Sequence, residues 1–492
     1  MDLLPNPAIE ASKQAEVQEI CIVGAGPGGL AALQIIMETP QYKAGLWKPT
    51  AFEEREKAGG IWVPAPPVDN PPKTPLYDSL TTNLPHPVMC FQSYSFPPST
   101  PLFPPASTVE KYLSDFASHF DMNQHIRLNT PVTAVDWDTA SSKWKVKVRG
   151  DEVHEFDLLI VANGHYRLPR YPTTPGLGAW LAAGKATHSA WYRRPEHHGK
   201  TVLVVGGGPS GNDISSDMRE VAKVVIQSVS RGTSEDIDGG KFKKRGRLAE
   251  LLDINEGRVL FEDGTVETGI DHCILATGYQ HHLPFLPSSL LKLAVPPPVP
   301  PLPEHLYNSS YHLFPLARHL FPLSKSFPPS RLAFLCVLRA IAPLPVMEAQ
   351  VRAALAAFAH PEILDPTQEA VDILTHYEDL RARFGDNDLQ IAAAWHVFEP
   401  QQQFDYRDEL HALAGGRYAG PEWKVPQWVR DMYMERDVLR SEWRDLERRG
   451  EAEDWVRGVG EGGIEEWIEL MHKLLKRADE RHRNDEDQTA KL

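Results

Sequence analysis

The sequence predicts an α/β chain with two doubly wound domains, the second inserted into the first, and a helical extension after them. Three observations predict it. The stretches "ICIVGAGPGGLAAL" at 20–33 and "VLVVGGGPSGNDI" at 202–214 each run from a short apolar strand through a glycine turn into a helix, the order of a Rossmann-like dinucleotide-binding unit. Two further apolar runs, "FDLLIVANGH" at 156–165 and "DHCILATGYQ" at 271–280, bracket the second turn and end in small residues, as buried parallel strands do. Beyond about residue 346 the pattern changes to charged, helical segments such as "VRDMYMERDVLRSEWRDLERR".

Length and composition agree. A chain of 492 residues is too long for one ordinary core, and 42% hydrophobic against 24% charged residues describes a globular protein. The net charge of −15 argues against a nucleic-acid partner. The N-terminal stretch has neither a basic nor an apolar signal region. The most apolar later run, "LAFLCVLRAIAPLPVM", is broken by Arg339, Pro343 and Pro345 and reads as buried rather than as a transmembrane span. Cys21, Cys90, Cys273 and Cys336 are scattered and make no metal-ligand spacing, so they read as buried thiols. Pairs such as His197 and His198, or His281 and His282, lack ligand company, and no metal site is expected.

In chain order, the first domain takes residues 18–168, and strand 157–165 is its exit. Within it the proline-dense tracts at 63–75 and 96–105 can form neither a central strand nor a long helix, so they drape over the scaffold as loops. The inserted domain takes 169–270, the first domain resumes over 271–350 with strand 271–278 as the return, and the extension takes 351–492.

Each glycine turn carries its own chemistry. In the first, Gly24, Gly26, Pro27, Gly28 and Gly29 lie between strand and helix, where backbone N–H groups and the positive helix end hold a pyrophosphate. Glu53, 24 residues after Gly29, is placed to hold a ribose hydroxyl. In the second, Gly206, Gly208, Pro209, Ser210 and Gly211 repeat the turn, but 20 residues after Gly211 stands Arg231, with Ser228 and Ser230 beside it. A cation among hydroxyls suits a 2'-phosphate, and so NADPH. The basic run "KFKKRGR" at 241–247 either attracts that cofactor or is a solvated loop. Two different dinucleotides in one chain imply a hydride donor beside its acceptor, and the fixed acceptor that fits is FAD.

Over about 19–410 the chain resembles the flavin-containing monooxygenases, fungal members in particular. "FEEREKAGGIW" is similar to the segment that brings Glu53 to the ribose and Gly59, Gly60 and Trp62 to the flavin. "YDSLTTNLP" resembles the active-site segment, which makes Thr82 a cofactor contact and Asn83 the catalytic asparagine. "AAGKATHSAWY" carries Gly184, His188 and Tyr192 of the identifying motif, with Ala182 where phenylalanine is usual. "LATGY" resembles the linker motif, with Thr277 and Gly278, and "PLPVMEAQ" the later flavin segment, with Gln350. The resemblance implies an N,N-dimethylaniline-type activity in which NADPH reduces FAD, O2 forms a C4a-hydroperoxide, and one oxygen atom passes to a nitrogen or sulfur of a small organic substrate. The alternatives are a Baeyer–Villiger enzyme acting on a ketone and a non-oxygenating flavin reductase. A homo-oligomer is compatible with the sequence. The ending "AKL" is close to a peroxisomal address, which leaves a cytoplasmic or a peroxisomal location open.

Overall fold

The computed structural model of the chain describes residues 16–230, 234–415 and 424–489. The first domain opens with β1 (Gln18–Val23), α1 (Pro27–Glu38) and β2 (Trp47–Phe52). After the proline-rich loops come α2 (Ala106–His119) and β3 (Ile126–Arg127). An antiparallel meander of β4 (Val132–Asp138), β5 (Lys143–Val148) and β6 (Val153–Phe156) precedes β7 (Leu158–Val161).

The inserted domain comprises β8 (Ala186–His188), β9 (Thr201–Val205), α3 (Pro209–Met218), β10 (Val224–Ser228), β11 (Glu235–Ile237), β12 (Phe242–Arg245) and β13 (His272–Leu275). The chain then returns through β14 (Leu332–Phe334) and α4 (Pro343–Ala359). The extension includes α5 (Pro366–Phe384), α6 (Gln402–Ala414), α7 (Arg436–Arg449) and α8 (Ile464–Thr489).

The first sheet has the parallel order β14-β7-β1-β2-β3, and the second the order β11-β12-β10-β9-β13-β8 with only the β11 edge antiparallel. Their central strands are apolar runs because both faces are covered: Ile20, Ile22, Leu158 and Ile160, and likewise Val202, Leu203 and Val204, are 0% exposed. On the first sheet α1 packs against α4, which packs in turn against α6.

One boundary departs from expectation. The sequence has strand 271–278 return the chain to the first sheet, yet β13 hydrogen-bonds between β9 and β8 of the second. The inserted domain therefore runs to 275, and β14 closes the first sheet against β7. The proline tracts are loops, with a single helical turn at His86–Met89 between them. The four cysteines are free, Cys21 and Cys273 fully buried and Cys90 and Cys336 half-buried. Among the described residues no helix is long and apolar enough to cross a membrane.

Candidate active site

The first turn is tight because glycine alone fits it. Gly24 has φ +98°, and a Cβ there would lie 2.7 Å from the Ala162 carbonyl oxygen; one on Gly29 would lie 2.0 Å from the Gly24 oxygen. No side chain caps α1, and Pro27 is its first residue, so the N–H groups of that turn are left for an anion. Glu53 follows β2 and closes on the turn: its Oε2 accepts the Ala25 N–H at 2.8 Å and its Oε1 the Arg55 N–H at 3.0 Å. At 4% exposure, burial pushes its carboxyl up, against the pull of those two bonds.

Arg55, which sequence reasoning passed over, stitches the next segment back. Its guanidinium donates to the carbonyls of Val63 at 2.7 Å, Gly60 at 3.1 Å and Pro64 at 3.1 Å. That brings Gly60 over the turn, where a Cβ on Gly26 would stand 3.3 Å from the Gly60 Cα. Trp62 ends the short turn Gly60–Trp62 and is half-buried. Asn83 is exposed. The hydroxyl of its neighbour Thr82 donates to the Leu84 carbonyl at 2.8 Å and shapes that loop.

The second turn uses the same covalent logic and is more open. A Cβ on Gly206 would lie 2.3 Å from the Ala276 oxygen and one on Gly211 2.2 Å from the Gly206 oxygen, whereas one on Gly208 would meet nothing within 4 Å. Gly207, Gly208 and Pro209 are exposed, Ser210 is half-buried, and α3 has no side-chain cap. Gln227, also missed in the sequence, braces the turn by donating to the Gly206 carbonyl at 3.0 Å and to Asn212 at 2.8 Å. Both turns thus fit a pyrophosphate, the first enclosed and the second accessible from solvent.

Two expected contacts are corrected. Ser228 is 2% exposed, and its hydroxyl donates to the Gly246 carbonyl and accepts the Leu248 N–H, so it holds a turn and leaves nothing for a phosphate. Gln350 is 0% exposed; its Oε1 accepts the Cys336 N–H at 2.8 Å and its Nε2 donates to Tyr406 at 3.0 Å. Both ends of its amide are engaged within the protein, so Gln350 supports the Cys336 loop from behind. Ser230 is exposed, while Arg231 lies outside the described residues. Part of the basic run is consumed internally: Arg245 pairs with Glu267 and Asp236, and Lys243 with Glu267.

The two domains are joined at His188. Its Nδ1 accepts the Ala190 N–H at 3.1 Å, which leaves the proton of a neutral ring on Nε2 to donate to the Gly278 carbonyl at 3.1 Å. Burial lowers its pKa to about 4, so the neutral form is the resident one. Thr277 donates to the Arg170 carbonyl at 2.6 Å, and the Arg170 N–H returns to Gly278 at 2.9 Å, which binds the two crossing linkers together. Arg193 adds bonds from its guanidinium to Thr74 at 2.9 Å and Ala190 at 2.9 Å. Tyr166 is 41% exposed and sets its ring edge-on to that of Tyr279, 5.8 Å between centroids. Among the described residues no group of three or more His, Cys, Asp or Glu side chains is arranged to hold a metal ion.

An enclosed glycine turn closed by a buried carboxylate, joined at the linkers to an open second turn, is the arrangement of a two-dinucleotide flavoprotein. Comparison with known proteins names the family. The FMO-like family, flavin-binding monooxygenase-like, matches residues 17–240 and 235–397, and the chain belongs to it. FAD and NADPH are its cofactors. A thiol-specific monooxygenase of Saccharomyces cerevisiae is 31% identical over 284 residues, 56% of this chain and 63% of that protein. The flavin-containing monooxygenase FMO GS-OX-like 4 of Arabidopsis thaliana is 27% identical over 466 residues, 87% of this chain and 94% of that one. The chain spans 63 to 66% of the length of the first three curated relatives it matches. The solved structure of S-allyl-L-cysteine S-oxygenase from Allium sativum superposes with a TM-score of 0.71 at 26% identity, over 95% of this chain and 99% of that one.

Proposed function

We propose that this chain is an NADPH- and FAD-dependent monooxygenase that oxygenates a nucleophilic sulfur or nitrogen of a small organic substrate, with O2 as the second substrate. The observation that carries the reading is the pair of uncapped helix N-termini, one enclosed and one open, joined through His188 and Gly278. When bound, FAD reduced by NADPH would supply the two electrons that activate O2, of which one oxygen atom passes to the substrate and the other leaves as water.

The chain's own residues do the rest. The turn from Gly24 to Gly29 holds the FAD pyrophosphate, Glu53 a ribose hydroxyl, and Gly60 and Trp62 shape the flavin wall. The turn from Gly206 to Gly211 takes the NADPH pyrophosphate from solvent, and Arg231 with Ser230 meets its 2'-phosphate. Asn83 presents an exposed amide to hydrogen-bond the reacting face and keep protons in place. Sulfur is favoured over nitrogen by the names of the yeast and Allium relatives. A Baeyer–Villiger reaction remains the alternative outcome, since a related scaffold hosts cyclohexanone monooxygenase at 12% identity and a TM-score of 0.54.

The test is substrate-dependent NADPH consumption over a panel of thiols, sulfides, amines and ketones, with product identification. The proposal expects S- or N-oxygenated product in step with NADPH. An ester or lactone from a ketone, with no product from the sulfides and amines, overturns it, as does NADPH consumption that yields hydrogen peroxide alone across the panel.

A further inference from the structure

The helix that begins at the second glycine turn is gripped by both other parts of the chain. Asp213, on α3, is 7% exposed. Its Oδ2 accepts the Tyr77 hydroxyl at 2.8 Å. Its Oδ1 accepts from Arg444 at 3.1 Å and from Arg440 at 3.3 Å, two residues one turn apart on α7. On the next turn of α3, Asp217 accepts the hydroxyls of Ser79 at 2.5 Å and Tyr192 at 3.0 Å.

Tyr77 belongs to the first domain by sequence, yet its ring packs in the core of the inserted one, 5.8 Å from the Tyr192 ring and beside Ile214 and Met218. The Asp78 N–H donates to the Arg193 carbonyl at 2.6 Å. Segment 77–80 is therefore a plug seated on α3, and Asn83 comes three residues after it. The far side of the clamp is held firmly as well. Leu439, Trp443 and Leu446 bury one face of α7, while Glu442 and Asp445 take Arg477 and Arg481 of α8. A buried carboxylate shared by a phenol and two guanidiniums is costly to leave half-paired, so these partners move together.

We propose that Asp213 is a positioning residue for the encounter of the two cofactors. With Arg440 and Arg444 it fixes the register between the helix that receives the NADPH pyrophosphate and the loop that carries Asn83. The extension thereby sets the arrangement of the two domains rather than merely covering the core. This rests on the assignment of the second turn to NADPH. Misplacement by a fraction of a bond length at such a junction reaches the reacting groups, because they must meet within contact distance.

The test compares Arg440→Gln/Arg444→Gln with Arg440→Lys/Arg444→Lys, each as the full FAD-loaded chain. In the glutamine pair, flavin content and reduction by dithionite stay at the parent level, and amide hydrogen exchange quickens in 74–83 and 209–218. Flavin reduction at saturating NADPH slows by about fivefold or more, the low end of coupling between sites. The lysine pair, which keeps both charges, returns all readings toward the parent. Tyr77→Phe, which keeps the ring and removes the hydroxyl, gives the same exchange signature from the other side. Unchanged exchange in 74–83 overturns the proposal, and so does equal slowing with dithionite and with NADPH, or a lysine pair as impaired as the glutamine pair. Exchange is read without turnover: if NADPH reduces no flavin even in the parent, the assignment of the second turn fails while the clamp is still tested.

Discussion

Glu53 and Ala25 meet across the first glycine turn, with the Ala25 N–H donating to the Glu53 carboxylate at 2.8 Å. The other carboxylate oxygen takes the Arg55 N–H. Glu53→Gln can offer only one acceptor and sets an amide N–H against a backbone donor. The loss is about 1.5–3 kcal/mol for a charge-assisted bond of this kind. Flavin content after gel filtration should fall and the melting temperature with it. Full flavin content in that variant removes Glu53 from the site.

Arg55→Lys tests the neighbouring brace. A planar guanidinium reaches the carbonyls of Gly60, Val63 and Pro64 together, and an ammonium on a flexible stem cannot. The Gly59–Trp62 segment should loosen and FAD dissociate at least about tenfold faster, a change of about 1.4 kcal/mol. Flavin release into buffer, followed by fluorescence, measures it; an unchanged rate means the segment holds itself.

Stability should fall on acidification in a defined window. Burial lowers the pKa of His188, His165 and His312 from 6.5 to about 4. The unfolded chain therefore binds more protons than the folded one between these values, and the folded state gains stability as pH rises through them. That contribution is complete above 6.5 and is lost as pH falls toward 4. Glu348, raised from 4.5 to about 7 by burial, acts with the opposite sign, as do Glu53, Glu409 and Glu447, but the lowered imidazoles, His272 and His411 at about 4 among them, outnumber these carboxyls. Urea midpoints should be level above about pH 7 and drop steeply below about 6.5. A midpoint unchanged from neutral to pH 5 would show that these rings are protonated in the folded state.

Asn83→Ala should leave flavin reduction by NADPH intact and uncouple the oxygen transfer from it. NADPH consumption continues, and more of it appears as hydrogen peroxide and less as oxygenated substrate, with a loss of coupling of about tenfold or more for one lost donor. Undiminished coupling assigns the loop a purely structural part.

Much of this site was legible in the sequence because its constraints are local. Gly24 and Gly29, like Gly206 and Gly211, are demanded by a backbone atom close by in the turn or on the adjoining strand end, so they leave a pattern. The sheet of β13 was not legible: "HCIL" is buried on both faces and reads alike in either sheet. Residue type and spacing also could not tell which way a side chain turns, and Ser228 and Gln350 face inward. Arg55, Gln227 and Asp213 act through partners that meet only in the fold. Asp213 and Arg444 stand 231 positions apart. Arg231 and the "AKL" ending lie outside the described residues, and their roles rest on the sequence alone.

The central claim, that each glycine turn serves its own dinucleotide, is tested most directly at Gly208. A Cβ there would meet no protein atom within 4 Å, so Gly208→Val has room to fold, yet it narrows the mouth of the open turn. Anaerobic stopped-flow reduction of the purified variant should show parent-level FAD and parent-level reduction by dithionite. Reduction by NADPH should be slower or weaker by about tenfold or more. Reduction by NADPH at the parent rate, or a variant purified without flavin, would contradict the division of labour between the two turns.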